Sequence, residues 1–169
     1  MSGGRTIYIS QGEDGVSGEP DVVISTILGS CVSFCLYDAD AKIGGMNHLL
    51  LPEMSSGGGG LDTVGAAAMD LLINKMVHLG ASRKRLQAKV FGGASMLSGL
   101  TDIGARNAAF ARAYLASEGM PCHAESLGGA QARRLRFHAA TGRVQQKFVN
   151  EAPVLKPVEV PELNSVELF

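Results

Sequence analysis

The sequence predicts a single α/β domain built on a mostly antiparallel, strongly twisted sheet with two main helices. Two observations carry this prediction: short β-rich apolar runs alternate with polar turns, and two longer segments place apolar residues at helical spacing. The chain has 169 residues, of which 46% are hydrophobic, enough for one domain with its own core. We expect that domain over residues 1–150, followed by a flexible, proline-containing C-terminal tail over 151–169.

The strands are predicted from apolar runs and from the turns between them. Two runs flank the polar turn 38–42 and should pair as antiparallel neighbours. Gly92 and Gly93 follow another run but lack the spacing and the lysine of a phosphate-binding loop, so we expect them to allow close backbone packing. The remaining strands are expected at 6–11, at 88–91, after Pro121, and in a hairpin formed by 133–139 and 143–149.

Residues 62–79 and 102–118 are predicted to form the two helices. Each segment carries apolar residues three or four positions apart, which gives a helix one buried face. Asp62 can cap the start of the first helix, and Gly80 can end it. Gly119 follows the second helix at the position where a left-handed residue commonly ends a helix.

The charge and cysteine content exclude several classes of function. Fifteen basic residues against sixteen acidic ones give a net charge of −1, so nothing favours nucleic acid as a partner. Three cysteines indicate free thiols in a reducing compartment rather than a disulfide framework. The N-terminal segment lacks the apolar core of a signal peptide, and no apolar stretch is long enough for membrane insertion. We therefore expect a cytoplasmic protein.

Cys31 and His48 are the candidate nucleophile and general acid/base. Cys31 follows Gly29 and Ser30, which leave little bulk beside the sulfur and allow a sharp backbone bend. His48 lies in the second of the two apolar runs, and antiparallel pairing of the runs would bring the two side chains within reach. A thiol becomes a strong nucleophile when a neighbouring imidazole takes its proton. The alternative interpretation is that both are ordinary core residues, since free cysteine is usually buried.

An uncharged group is expected to orient the imidazole, because the segment offers no well-placed buried carboxylate. The candidates are the hydroxyls of Ser25 and Thr26 and the amide of Asn47. Ser25 would share a face with Cys31 in a straight strand, so we favour Ser25, with Thr26 as the alternative. The backbone amides of Ser30 and Cys31 are candidate donors to the oxyanion of a tetrahedral intermediate.

Three further features have no assigned chemistry. Arg133, Arg134 and Arg136 form a local basic cluster that could meet an acidic partner or be a solvated strand face.

Cys35 is expected in the core, and zinc binding would need more Cys or His residues than the segment offers, so neither a metal nor a cofactor is expected. In the tail, three apolar residues could dock on a partner: Val166, Leu168 and Phe169.

LGSC at 28–31 and GGMNHLLLP at 44–52 are similar to the nucleophile and histidine strands of the CheD family, the chemoreceptor glutamine deamidases of bacterial and archaeal chemotaxis. The segment 71–96 resembles its central helix, strand and glycine turn. Later signature segments have counterparts in IGARN at 103–107, LGGAQARRLRF at 127–137 and TGRV at 141–144. The resemblance covers roughly residues 5–149 and keeps the family's order.

The resemblance implies a layered α/β sandwich in which Cys31 is the nucleophile and His48 its acid/base partner. The family's third catalytic residue, a threonine, lies six positions before the cysteine, which here is Ser25, with Thr26 beside it. The implied activity is conversion of receptor glutamine to glutamate through a cysteine thioester, with glutamyl methylesterase activity as a possible addition. Implied partners are the cytoplasmic helices of methyl-accepting chemotaxis receptors and a CheC-type phosphatase.

Two alternatives to the deamidase stay open at this point. The chain could act mainly as a non-catalytic binding regulator of a CheC-type response-regulator phosphatase. It could also be a cysteine peptidase or a small-molecule amidase that uses the same two side chains. Modification of a purified receptor fragment would separate these hypotheses.

Overall fold

The computed structural model describes residues 4–52, 63–95, 102–150 and 166–169. Within these ranges the chain forms ten strands, two α-helices and one short 3-10 helix. The elements in chain order are β1 (Arg5–Tyr8), β2 (Asp14–Ser17), β3 (Val22–Leu28), β4 (Val32–Asp38), β5 (Ile43–Asn47), α1 (Thr63–Leu79), the 3-10 helix (Arg83–Arg85), β6 (Gln87–Gly92), α2 (Ile103–Glu118), β7 (Cys122–Leu127), β8 (Ala132–His138), β9 (Arg143–Val149) and β10 (Val166–Leu168).

The strands form two five-stranded sheets that lie in separate layers. Sheet 1 has the order β1-β3-β8-β9-β10, and sheet 2 has the order β2-β5-β4-β6-β7. Only the β1–β3 and β6–β7 pairs are parallel among the described strands. The predicted α/β class with mostly antiparallel strands and two main helices is therefore confirmed. The prediction of one sheet does not hold, because consecutive strands β3 and β4 belong to different sheets.

Two apolar clusters hold the layers together. One cluster fills the space between the two sheets and includes Ile24 and Phe137 from sheet 1 and Met46 and Phe91 from sheet 2. The other cluster joins the opposite face of sheet 2 to both helices. Its main members are Phe34, Val90, Met69, Leu72, Met76, Phe110 and Tyr114. Sheet 2 is thus covered on both faces, which explains why β4 is almost wholly buried.

Both helices occupy the predicted segments. α2 begins after Asp102, whose side chain accepts a hydrogen bond from the Ala105 amide at 2.9 Å, and it ends at Gly119 with φ of 64°. Gly80 follows α1 with φ of 122°. The predicted Asp62 cap lies outside the described residues.

The hairpin of β8 and β9 shows how strand alternation separates neighbouring arginines. Arg133 is 1% exposed and donates to the Ser126 carbonyl at 2.6 Å. Arg134 and Arg136 lie nearer the surface and, one position out of phase with Arg133, point to the outer face of sheet 1. The three arginines therefore do not form the single basic cluster expected from the sequence.

The C-terminal residues pair with the domain itself. β10 pairs antiparallel with β9, so Val166 and Leu168 lie on an exposed strand of sheet 1. Phe169 packs edge-on against Phe91, with ring centroids 5.2 Å apart. The preceding residues 151–165, which hold most of the predicted flexible tail, lie outside the described residues.

Candidate active site

The loop that carries Cys31 crosses from one sheet to the other. β3 ends at Leu28 in sheet 1 and β4 begins at Val32 in sheet 2, so the three residues between them make the crossing. The amide of Gly93 donates to the Cys31 carbonyl at 2.8 Å, and the amide of Ala94 donates to the Gly29 carbonyl at 3.0 Å. These bonds fix the backbone on both sides of the thiol.

The conformation of Gly92, the last residue of β6 and the first of the pair Gly92–Gly93, explains why a glycine stands there. Its φ is 114°, and a Cβ atom there would lie 2.2 Å from the Cys31 carbonyl oxygen. Any side chain would therefore push the nucleophile loop away from β6. The prediction that this glycine pair allows close backbone packing is confirmed.

His48 lies on the same face of sheet 2 as Cys31. β4 and β5 pair antiparallel, and the register continues to an isolated bridge between Val32 and Leu49. This register places Ser33 opposite His48, and Cys31 two residues from Ser33 on the same face. Side chains in this diagonal relation have Cβ atoms at most about 7 to 8 Å apart. The register therefore places the predicted nucleophile and base at neighbouring positions on one sheet face, each 8% exposed.

A hydroxyl from sheet 1 holds the imidazole. Thr26 Oγ1 lies 2.8 Å from His48 Nδ1 and 2.7 Å from the carbonyl oxygen of Ile9. Because a carbonyl only accepts, the Thr26 hydroxyl donates to Ile9 and accepts from Nδ1–H of His48. This assigns the imidazole tautomer with a free lone pair on Nε2, which is the form a general base requires.

The other two candidate orienting groups bond elsewhere. Ser25 Oγ donates to the Leu135 carbonyl at 2.8 Å, and its side chain faces away from sheet 2. Asn47 Oδ1 accepts from the Phe34 amide at 3.0 Å, on the helix side of sheet 2. The prediction of Ser25 assumed that residues 25–31 form one straight strand. The crossing at Gly29 breaks that alternation, so the alternative, Thr26, is the hydroxyl that contacts His48.

Burial favours the neutral form of both candidate side chains at pH 7. It raises the pKa of the Cys31 thiol to about 11. It lowers the pKa of the His48 imidazole to about 4, against a smaller opposing effect of the negative charge on Glu13. No hydrogen bond joins the Cys31 sulfur to the imidazole among the described contacts. Both pKa shifts favour the neutral thiol and the neutral imidazole over a thiolate–imidazolium pair.

The amides predicted as oxyanion donors make no backbone hydrogen bond within the described residues. In the described part of the chain, the amides of Ser30 and Cys31 donate to no protein acceptor, although the neighbouring carbonyls of Gly29 and Cys31 are both bonded. Two successive backbone amides without a protein acceptor at a bend are candidate donors to a substrate oxygen.

One residue that the sequence analysis does not single out contacts both the loop that carries Cys31 and the segment that follows His48. Asn107 on α2 is fully buried, donates to the Ser30 carbonyl at 2.8 Å and accepts from the Leu51 amide at 3.1 Å. The only signal was its place in IGARN, one of the segments that resembles the family. Spacing along the chain could not connect residue 107 with residues 30 and 51.

The described ranges contain neither a metal-binding cluster nor a membrane-spanning helix. No group of three His, Cys, Asp or Glu residues there could hold a metal ion. Among the described helices, neither is both long enough and apolar enough to cross a membrane.

These features define a class: a layered α/β protein that places a thiol and a hydroxyl-bonded imidazole on one sheet face. The chain belongs to the CheD family. The family's model, described as "CheD chemotactic sensory transduction", matches residues 50–148.

Relatives match over most of the chain. One from Caulobacter sp. (strain K31) is 47% identical over 173 residues, which cover 96% of this chain and 92% of that protein. One from Acidiphilium cryptum is 47% identical over 178 residues, which cover 98% of this chain and 94% of that protein. Both relatives bear the name "Probable chemoreceptor glutamine deamidase CheD".

A solved structure shares the fold. The crystal structure of a Neisseria meningitidis protein of the DUF152 family superimposes with a TM-score of 0.50 at 11% identity, over 75% of this chain and 64% of that chain. At this identity the similarity supports the layered arrangement and nothing about activity.

Proposed function

We propose that this protein is a cysteine-dependent deamidase that converts glutamine side chains of chemoreceptors to glutamate. The name borne by its relatives supports the reaction and the substrate. The observation that carries the cysteine mechanism is the hydrogen-bond chain from Ile9 through Thr26 to His48, because it leaves Nε2 free on the sheet face that also carries Cys31.

The proposed reaction has two halves that use the same groups. His48 Nε2 takes the thiol proton while Cys31 Sγ attacks the carbonyl carbon of the glutamine side chain. The protonated imidazole then returns the proton to the departing nitrogen, so that ammonia leaves and a γ-glutamyl thioester remains. His48 next takes a proton from water, which attacks the thioester, and that proton passes to the cysteine sulfur. The products are glutamate and the free thiol.

The neutral starting state suits this reaction. A charge pair forms only when the thiol proton moves to His48, and the buried site makes that charge costly unless new partners appear. A bound substrate provides these partners, because the negative charge that develops on its carbonyl oxygen can accept hydrogen bonds from the amides of Ser30 and Cys31. The nucleophile is therefore activated mainly when a carboxamide is in place. The same chemistry would hydrolyse a glutamyl methyl ester, so we propose methylesterase activity as a secondary reaction.

The proposed partners follow from the substrate. The glutamine must lie on an exposed receptor helix, and we place the encounter in the cytoplasm, with the receptor's cytoplasmic helices. Each conversion replaces a neutral amide by a carboxylate, which adds one negative charge to the helix bundle. A CheC-type phosphatase is proposed as a second partner on the basis of the family resemblance.

The decisive experiment uses the full chain and a purified receptor cytoplasmic fragment. Deamidation adds about 1 Da per glutamine, which peptide mass spectrometry detects and assigns to a position. We expect Cys31→Ala to lower the rate at least about 1,000-fold with an unchanged melting temperature. Cys122→Ala is the matched control, since Cys122 is an exposed thiol outside the site and its loss should leave the rate unchanged.

Three results would contradict the proposal. Normal deamidation by Cys31→Ala would exclude the cysteine mechanism. Cleavage of the receptor chain instead of a mass shift would indicate a peptidase. No shift together with tight binding of a CheC-type phosphatase would favour the binding regulator.

A further inference from the structure

The first turns of α2 lie against the two loops that carry the reactive side chains. Ser30 belongs to the nucleophile loop, and Leu51 lies three residues after His48. Asn107 bonds to both loops with one side chain, through its Nδ2 atom to the Ser30 carbonyl at 2.8 Å and through its Oδ1 atom to the Leu51 amide at 3.1 Å. We call these two bonds the Asn107 bridge.

The bridge holds backbone that the sheets do not hold. Ser30 lies outside β3 and β4, and Leu51 lies beyond the Val32–Leu49 bridge, where the β4–β5 ladder ends. Buried backbone groups at such positions need partners from elsewhere. An asparagine side chain supplies one acceptor and donors within a single rigid amide plane, so it can satisfy a carbonyl and an amide at once.

Two neighbours dock the same helix turn onto the site. Gly104 packs so closely that a Cβ atom would lie 2.1 Å from the Ala94 carbonyl oxygen, and Ala94 in turn bonds to Gly29. Arg106 donates to the Pro52 carbonyl at 2.6 Å and to the Leu51 carbonyl at 3.2 Å. The helix turn is therefore fixed independently at both loops, which allows Asn107 to act as a fixed spacer between them.

We propose that Asn107 is a positioning residue that sets the distance and direction between the Cys31 thiol and the His48 imidazole. It touches neither reacting atom, and it acts through Ser30 on one side and through Leu51 on the other. The proposal rests on the proposed deamidase function. Misplacement of reacting groups by about 1 Å can cost about 100-fold in rate, so a spacer that touches no substrate can still control catalysis.

The Asn107→Asp variant separates the two bonds of the bridge. A carboxylate still accepts from the Leu51 amide, but it cannot donate to the Ser30 carbonyl and repels it. Asn107→Ala removes both bonds and leaves room for water. It therefore serves as the second test variant if the buried carboxylate of Asn107→Asp prevents folding. We expect both variants to lower kcat on the receptor fragment by about 100-fold, while KM changes by less than about threefold.

A second measurement needs no receptor. Cys31 is only 8% exposed, so a loosened nucleophile loop should make the thiol more accessible. We expect iodoacetamide to label Cys31 about fivefold faster in both variants than in the wild type, as read from peptide mass spectrometry. Slower catalysis by a more accessible thiol is the combination that a positioning role predicts.

Asp38→Asn is the matched control for lost stability. Asp38 is fully buried at the far end of β4 from Cys31, so its loss should lower the melting temperature without moving the site. At a temperature where all variants are folded by circular dichroism, this control should keep the wild-type kcat and labelling rate.

Two results would overturn the proposal. One is a kcat in both Asn107 variants within about threefold of the wild-type value. The other is a loss of kcat without any rise in Cys31 labelling beyond that of Asp38→Asn. If Cys31→Ala deamidates normally, the proposed function fails instead, and the labelling experiment still tests whether the Asn107 bridge holds the loop.

Discussion

β4 has a buried polar group at each end, and the surroundings of one group favour its charged form whereas those of the other favour its neutral form. At its last residue, Asp38 is a buried carboxylate surrounded by donors. Just before its first residue, Cys31 is a buried thiol that the described part of the chain leaves without a charged partner. Comparison of the two ends shows how one strand can serve stability at one end and chemistry at the other.

The Asp38 end is fully compensated. Arg85 Nε donates to Oδ1 at 2.9 Å, and the Ser82 amide donates to Oδ2 at 2.8 Å. The amides of Asp40 and Ala41 both bond to Oδ1 at 3.0 Å. Burial by itself would raise the pKa of Asp38, but these donors outweigh burial and lower the pKa to about 2. The carboxylate is therefore charged at neutral pH.

At the Cys31 end, the effect of burial is not offset by groups that would stabilise a charged thiol. Burial raises the pKa of Cys31 and lowers that of His48, so both shifts oppose the charged forms. The hydrogen bonds around the two residues involve the neutral groups of Thr26 and Asn107 and backbone atoms. This contrast indicates that the candidate site fixes the positions of neutral groups, and we expect the charges that the proposed reaction needs to form only during that reaction.

Removal of the Asp38 charge should have the largest effect on stability. Asp38→Asn replaces one acceptor oxygen by an amide that faces other donors, and we expect a loss of about 3 kcal/mol in the free energy of unfolding at pH 7. The folded pKa lies below the unfolded value of 3.8, so the charge stabilises the fold above about pH 4. Urea unfolding should show that the gap to the wild type narrows as the pH falls from about 4 to about 2.

The control for this prediction is activity per folded molecule, which should stay at the wild-type level. A gap in unfolding free energy that is constant from pH 5 to about 2 would contradict the assignment of Asp38 as the charged partner of Arg85.

Loss of the Thr26 hydroxyl should have the next largest effect, and it falls on catalysis. Thr26→Val keeps the shape of the side chain but cannot accept from Nδ1–H, so the imidazole can adopt the wrong tautomer. We expect kcat to fall about 30-fold, or about 2 kcal/mol, in the receptor assay. Thr26→Ser restores the hydroxyl and should recover most of the lost rate.

Ser25→Ala is the matched variant one residue away. It removes the hydrogen bond to the Leu135 carbonyl and should lower the stability by about 1 kcal/mol while kcat changes less than about twofold. The opposite ranking, with Ser25→Ala inactive and Thr26→Val active, would show that Ser25 is the orienting hydroxyl.

The smallest predicted effect concerns the pH dependence of the thiol. Because the pKa of Cys31 is raised to about 11, the thiolate fraction should grow about tenfold per pH unit from pH 7 to about pH 10. Labelling of Cys31 by iodoacetamide should follow that slope without a plateau. His48→Gln should leave the slope unchanged, since a neutral imidazole does not stabilise the thiolate. A labelling rate that is flat from about pH 5 upward would reveal a preformed thiolate–imidazolium pair instead.

Much of the fold could be predicted because its signals are local. The helical spacing in residues 62–79 and 102–118 and the glycines that follow each helix depend on neighbours within one or two turns. The hairpin of β8 and β9 was visible from alternation around Thr141–Gly142. The apposition of Cys31 and His48 followed from one short turn between two apolar runs, which fixes the register of β4 and β5.

Other features depend on contacts outside their own strand, and here prediction failed. The sequence does not predict β2 and β10, which are four and three residues long and are defined by their pairing with β5 and β9. The assignment of Arg133 to a surface cluster missed its burial, because its partners Ser126 and Gly128 belong to the segment before β8.

The residues that could do chemistry can be found from the sequence alone: a thiol after a small-residue turn, a histidine on the paired run, and hydroxyls before the turn. Their orientation depends on how the two sheets and α2 pack together. The crossing at Gly29 moves β3 into the other sheet, so Thr26 and not Ser25 reaches the imidazole. The packing of α2 likewise brings Asn107 to both loops. The physical reason is that alternation along a strand has a range of a few residues, whereas the stacking of layers depends on all the side chains between them.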